Sequence, residues 1–184
     1  MSKSKPEILS RYLAGAIAGT VATAPMTLTM ELLFRRLPAE QKQALPPRKL
    51  TMAIARRAQA QQLLPSEEAR VDASLLAHFG YGALTGALYP LAIRQPQKHP
   101  VLLGSLYGIA IWALSYLGWI PALRLLPPAT REHPQRRRLM LIAHLVWGAS
   151  TGLVITKLIQ SQEVFSRRES LKIGLNRRVR GRRC

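Results

Sequence analysis

Two histidines stand in closely similar settings. His78 lies in LLAHFGYGALTG (75–86) and His144 in LIAHLVWGASTG (141–152), each inside an apolar run. An imidazole titrates near neutral pH and can serve as proton carrier, hydrogen-bond donor, acceptor or metal ligand. A third ionisable group, Glu31, closes another uncharged run four residues before Arg35. Following the i, i+4 row from Gly15 through Gly19, Thr23 and Thr27 leads to Glu31 and then Arg35, and the same rule puts His78 with Gly82 and His144 with Gly148. His78 is six residues past Asp72 and His144 six past Arg138, about 9 Å along a helix, so all three groups reach a similar depth. Tyr116 comes to that level from a further segment. The expected site is a polar cluster of Glu31, His78 and His144, with Tyr116 nearby and Arg35 and Arg124 at its rim.

Three chemistries are open to such a cluster. It can relay protons or ions. Its two histidines can ligate haem iron axially, or join Glu31 on a divalent metal. Or each histidine can hydrogen-bond across to a neighbouring helix, which is the commoner role of polar groups near helix ends. Glu31 also has a local partner in Arg35, one helical turn on.

The elements that must hold these residues follow from where charge is missing. Residues 12–30, 73–93, 99–123 and 139–156 contain no Asp, Glu, Lys or Arg. A bilayer's hydrocarbon core calls for roughly 20 apolar residues of helix. Four such runs in 184 residues predict spans at about 9–34, 68–93, 100–122 and 136–160. Pro100 and Pro134 suit first helical turns. Ser66 followed by Glu67 and Glu68 reads as an N-cap with acids behind it. The small-residue stretch 22–24 imitates a signal-peptidase site, but Pro25 follows it and the apolar run is long, so the segment reads as the first span. Pro25 is expected to kink that helix, with Thr20 and Thr23 available to satisfy freed backbone.

The dodecamers match at Leu75/Leu141, Ala77/Ala143, His78/His144, Gly82/Gly148, Ala83/Ala149, Thr85/Thr151 and Gly86/Gly152. Spans one and three align too, with Leu13, Gly15 and Gly19 against Leu102, Gly104 and Gly108. The expected fold is therefore all-α: an integral membrane four-helix bundle built from two parallel helical-hairpin repeats. Each span carries a GxxxG pair: Gly15 and Gly19, Gly82 and Gly86, Gly104 and Gly108, Gly148 and Gly152. Small residues four apart let backbones approach, and van der Waals packing is the main attraction between helices in lipid.

Outside the spans the chain is basic, with a formal net charge of +18, while its mean hydropathy is close to zero. Residues 48–64 read as an amphipathic helix lying on lipid headgroups, with Leu50, Ile54 and Ala58 on one face. A second unit, 162–184, reads as a basic membrane-surface tail. There Arg167, Arg168, Lys172, Arg177, Arg178, Arg180, Arg182 and Arg183 would contact anionic headgroups. No aromatic interleaving supports base stacking, so nucleic acid is the weaker partner. A second copy of the chain or another membrane protein is a further possible partner. Lys and Arg divide almost evenly between the two sides, so the positive-inside rule assigns no orientation.

Several functions are disfavoured. The single Cys184 excludes an internal disulfide framework and a cysteine zinc site. No phosphate loop, hydrolase triad or zinc-protease helix is present, and only nine acids occur, so the chain does not read as an enzyme. Two classes remain: a structural or accessory membrane protein with a dry interior, and a small proton-handling or permeation protein with a solvated path.

At AGAIAGTVATAPMT (14–27), HFGYGALTGALY (78–89) and AHLVWGASTG (143–152) the chain resembles small bacterial four-span membrane proteins of the domain-of-unknown-function kind, and more distantly the YagU-like inner-membrane proteins. The resemblance covers roughly 10–160. It implies a multi-pass protein of a bacterial inner membrane and brings no catalytic residues with it.

Overall fold

The computed structural model describes residues 5–93 and 98–180, with side chains over 9–93 and 98–162 and at Val164. Every regular element among them is helical. In chain order these are α1 (Lys5–Arg35), α2 (Pro46–Arg57), α3 (Glu67–Ala92), α4 (Pro100–Ala113), a π-helical stretch (Leu114–Trp119), α5 (Ile120–Ala122) and α6 (Pro134–Arg180). Three helical segments are long and apolar enough to cross a membrane: Leu9–Arg35, Pro100–Ala122 and Pro134–Gln162. They coincide with the first, third and fourth expected spans. α3 is of comparable length, but Glu67, Glu68, Arg70 and Asp72 charge its start, and His78, Tyr81, Tyr89 and Pro90 dilute the rest.

Local sequence explains most helix ends. The Ser66 hydroxyl caps α3 by accepting from the Ala69 N–H at 3.1 Å. Proline opens α2, α4 and α6, where a missing N–H costs nothing. α2 and α5 both end on a non-glycine residue in the left-handed region, Gln59 (φ 54°) and Arg124 (φ 53°). In each case the next amide reaches back across the last turn, Ala60 to the Ala55 carbonyl and Leu125 to that of Ile120.

Pro25 sits inside α1, as expected. Its threonine neighbours behave otherwise than the sequence reading held: Thr20 and Thr23 donate to the carbonyls of Ala16 and Gly19, not to the carbonyl freed near residue 21. The third span is also not a uniform α-helix. It widens into the π stretch, and Gly118 leaves helical geometry altogether (φ −105°, ψ −108°) before Pro121. Inserted turns of this kind recur at functional sites. The expected loop helix 48–64 is shorter, with a separate 3₁₀ turn at Gln61–Leu63 after α2. α6 runs without a break to Arg180, so the tail is helical as far as that residue.

α1 packs along both α3 and α6, and α6 packs along α4; α3 and α4 meet only sparsely. The close approaches fall on glycines. A methyl group on Gly86 would lie 2.7 Å from the Gly19 Cα and collide with the Gly15 carbonyl. One on Gly148 would lie 2.8 Å from the Gly108 nitrogen and collide with the Gly104 carbonyl. Gly152 abuts the backbone of Pro100, and Gly82 abuts Thr23. All eight glycines named from the sequence therefore stand in helix–helix seams, with backbone or a short hydroxyl where a side chain would go.

A second fixture was not foreseen. Arg136, in the first turn of α6, is only 6% exposed. It donates through Nη1 to the carbonyls of Gln41 (2.6 Å) and Gln43 (3.1 Å), through Nη2 to Ala44 (3.0 Å), and through Nε to the Glu132 carboxylate (3.1 Å). A planar guanidinium supplies these divergent donors at fixed angles, and an ammonium does not. The contact ties the chain just before α2 to the start of α6.

Two outcomes follow for thermal unfolding in detergent. Arg136→Lys keeps the charge but loses the fork, leaving buried carbonyls short of donors, and is expected to cost about 2 kcal/mol; a loss below about 0.5 kcal/mol would show that the clamp is idle. Gln59→Gly relieves a left-handed residue and is expected to stabilise by up to about 1 kcal/mol; destabilisation would mean the Gln59 side chain is needed there.

Candidate functional site

The helices separate below the glycine seams, where larger side chains replace glycine. The gap is a cavity of about 140 Å³. α1 contributes Thr23 and Met26 to it, α3 contributes His78, Tyr81 and Thr85, and the π stretch contributes Ser115, Tyr116 and Trp119. α6 adds His144 and Trp147. α2 lies over the mouth and turns Pro47, Leu50, Thr51 and Ile54 into it. So Leu50 and Ile54, two of the three residues in the apolar row of α2, face the cavity, and Ile54 is also partly exposed. The helix is held there by Lys49 facing Glu132 (3.9 Å), by an Arg48–Glu67 ion pair, and by Arg57 donating to the Leu123 carbonyl.

His144 is 4% exposed, and its Nδ1 donates to the Met140 carbonyl at 2.8 Å. A carbonyl only accepts, so the proton is on Nδ1; in the neutral ring Nε2 is then left as an acceptor. The Tyr116 ring stands edge-on to this imidazole, with centroids 5.8 Å apart. The His78 Nε2 is buried and has no hydrogen-bond partner among the described residues. Tyr81 and Ser115 share a 2.7 Å hydrogen bond that bridges α3 to the π stretch.

The cavity is closed at its inner end. Tyr89 meets Tyr107 edge-on at 5.0 Å, Tyr107 stacks on Trp147 at 6.0 Å, and the Tyr107 hydroxyl donates to the Thr85 carbonyl at 2.6 Å. The Trp147 Nε1–H donates to the Gly19 carbonyl at 3.1 Å, which locks the plug to α1.

Of the expected cluster, the fold brings together His78, His144 and Tyr116. It does not bring in Glu31 or Arg35. The Glu31 side chain is 48% exposed and pairs with Arg35 Nε at 2.8 Å on the outer face of α1. The error lies in the length of the row. Each i, i+4 step drifts by about 40°, so four steps from Gly15 to Glu31 carry it about 160° around the helix. Arg124 is likewise elsewhere, exposed on the far side of α2 in a cleft with Arg56 and Arg57. Without Glu31, a three-ligand metal site has lost its carboxylate, and among the described residues no group of three or more His, Cys, Asp or Glu could hold a metal ion. The tail residues Arg167, Arg168, Lys172, Arg177, Arg178, Arg180, Arg182 and Arg183 lie outside the described side chains.

Sequence reasoning missed Tyr81, Ser115, Trp147 and the roof. Trp147 was visible inside the second dodecamer, one residue from Gly148. Ser115 enters the cavity through the widened turn, and no periodicity marks that turn.

No curated protein and no solved structure matches the chain. A family described as "Protein of unknown function (DUF1440)" matches residues 23–153, a stretch that holds α2, α3, both histidines and every lining side chain named above. That match spans well over half the sequence, and the chain belongs to the DUF1440 family.

Proposed function

We propose that this chain is an integral membrane protein of a bacterial inner membrane that crosses the bilayer four times, and that it acts as a structural or accessory component through helix packing and anionic-lipid contact, not as an enzyme. The observation that carries this reading is the belt of exposed large apolar side chains on the outer helix faces. Leu13, Ile17, Val21, Leu28 and Leu32 of α1 are exposed, as are Leu84, Leu88 and Leu91 of α3 and Leu102 and Leu106 of α4. Leu76 reaches 77% exposure. The interior is packed from smaller and aromatic apolar residues such as Ala18, Ala22, Ala143 and Trp147, with Thr23, Thr85, Ser115, His144, Thr151 and the glycines among them. An exposed apolar belt on this scale needs a nonaqueous surround. The exposed leucines of α3 support counting it as the fourth crossing.

Duplication of a helical hairpin accounts for the paired seams. Gly15 and Gly19 meet α3 at Gly86 and Gly82; Gly104 and Gly108 meet α6 at Gly148 and the His144 backbone. The second seam is the first moved by one helical turn, since the nearest backbone to Gly104 is Gly148, the counterpart of Gly82 and not of Gly86. Contact with anionic lipid is supported by two arginine clefts beside α2, one with Arg48, Arg56 and Arg70, the other with Arg56, Arg57 and Arg124.

The rival reading, proton or ion handling, draws on the His78 and His144 pair. Against it stand the Tyr89–Tyr107–Trp147 plug and the exposed position of Glu31. Vesicles of phosphatidylcholine, with and without anionic lipid, separate the two. The reconstituted protein is expected to carry no proton flux above protein-free vesicles, and its unfolding temperature is expected to rise with anionic lipid. A flux that disappears in His78→Ala/His144→Ala would overturn the accessory reading in favour of the relay.

A further inference from the structure

We propose that the cavity under α2 is a binding site for a neutral, single-ring aromatic molecule carrying a hydroxyl, a phenol or the ring of a quinol. The proposal goes beyond the accessory reading and rests on the cavity alone. Size comes first. At about 140 Å³ the space matches one six-membered ring, since an engineered apolar cavity of about 150 Å³ takes up benzene. Charge comes next. Among the described residues no Asp, Glu, Lys or Arg lines the cavity, so an ionised ligand would lose its hydration without a counter-charge. The walls favour a ring over an alkyl chain, because four aromatic side chains, Tyr81, Tyr116, Trp119 and Trp147, line it.

The polar groups then select the substituent. Tyr81 and Ser115 satisfy one another, and the Trp147 N–H is engaged with Gly19. Among the described residues His78 Nε2 is a buried nitrogen without a hydrogen-bond partner, and a ligand hydroxyl can meet it in either tautomer, as donor or as acceptor; His144 Nε2, on the same lining, offers a second acceptor. Two routes of entry suit different ligands. At the roof, the Arg136 clamp fixes the chain ahead of α2, while the pairs along the helix rim, Lys49–Glu132 and Arg48–Glu67, are partly exposed and weak, so the rim can lift. A ring carried on a lipid tail would come from the side, between α3 and α4, where the helices meet only sparsely.

The test uses the full chain in detergent, with fluorine NMR of 4-fluorophenol, fluorobenzene and 4-fluorobenzoate and protein-free micelles as the blank. Saturable binding of 4-fluorophenol is expected, with fluorobenzene weaker and 4-fluorobenzoate weaker still. His78→Leu should weaken 4-fluorophenol about tenfold, the worth of one hydrogen bond, and leave fluorobenzene unchanged. His78→Gln keeps a hydrogen-bonding group and should stay within about threefold of wild type, which covers the case in which the leucine variant does not fold. Leu50→Trp, which fills the space from the roof, should abolish binding of both neutral rings. A quinol with an isoprenyl tail, added in the micelle, distinguishes the source: displacement of 4-fluorophenol points to a lipid-borne ring, and no displacement to a free phenol. Binding no different from the micelle blank, binding unaffected by Leu50→Trp, or preference for 4-fluorobenzoate would overturn the proposal.

Discussion

Helix pairs in this protein meet backbone to backbone. Where α1 crosses α3, and where α4 crosses α6, the space a side chain would occupy is already taken by the carbonyl, Cα or amide of the opposite helix. In the proposed bilayer setting lipid tails are as apolar as leucine, so burying apolar surface does not drive helices together; dispersion over a close, continuous contact does. The seams also decide which way the histidines point. His78 and His144 each precede a seam glycine by one turn, so the surface that must face the partner helix carries the imidazole inward with it. The inward placement of the rings follows from the need to present Gly82 and Gly148.

The same constraint creates the cavity. Helices held at glycine distance at one level must splay where Tyr81, Tyr116, Trp119 and Trp147 occupy the next, unless something fills the gap. Here the π turn swings Ser115 and Tyr116 inward, and α2 closes the top. α2 is a short helix in a long connection, and its position depends on the Arg136 guanidinium, which collects three carbonyls ahead of it and one carboxylate. Losing that guanidinium would leave those carbonyls short of donors in a buried place, which is why the residue is specific to arginine.

Much of this was legible in the residues. Uncharged runs bounded by proline, a serine cap and basic clusters located the long helices, because bilayer thickness and helix geometry leave few other readings. The glycine pairs located the seams, because no other residue allows such an approach. Two histidines of the expected cluster line the cavity, since each lies one turn from a seam glycine. Glu31 does not, since four i, i+4 steps of accumulated drift separate it from its reference. The π turn at Leu114–Trp119, the buried Arg136 and the roofing role of α2 were not readable. Each depends on tertiary partners distant in the chain, and an amphipathic face looks the same whether it meets lipid or a cavity.

An alanine scan of the glycines, read as unfolding temperature in detergent or in vesicles, tests the central claim most directly. One methyl group at Gly19, Gly86, Gly104, Gly108 or Gly148 must push two backbones apart and is expected to cost about 1–3 kcal/mol. Gly80, on the same helix as Gly86, has open space where its Cβ would go, so its alanine variant should unfold within about 1 kcal/mol of the parent. Equal tolerance at Gly80 and at the seam positions would contradict the account.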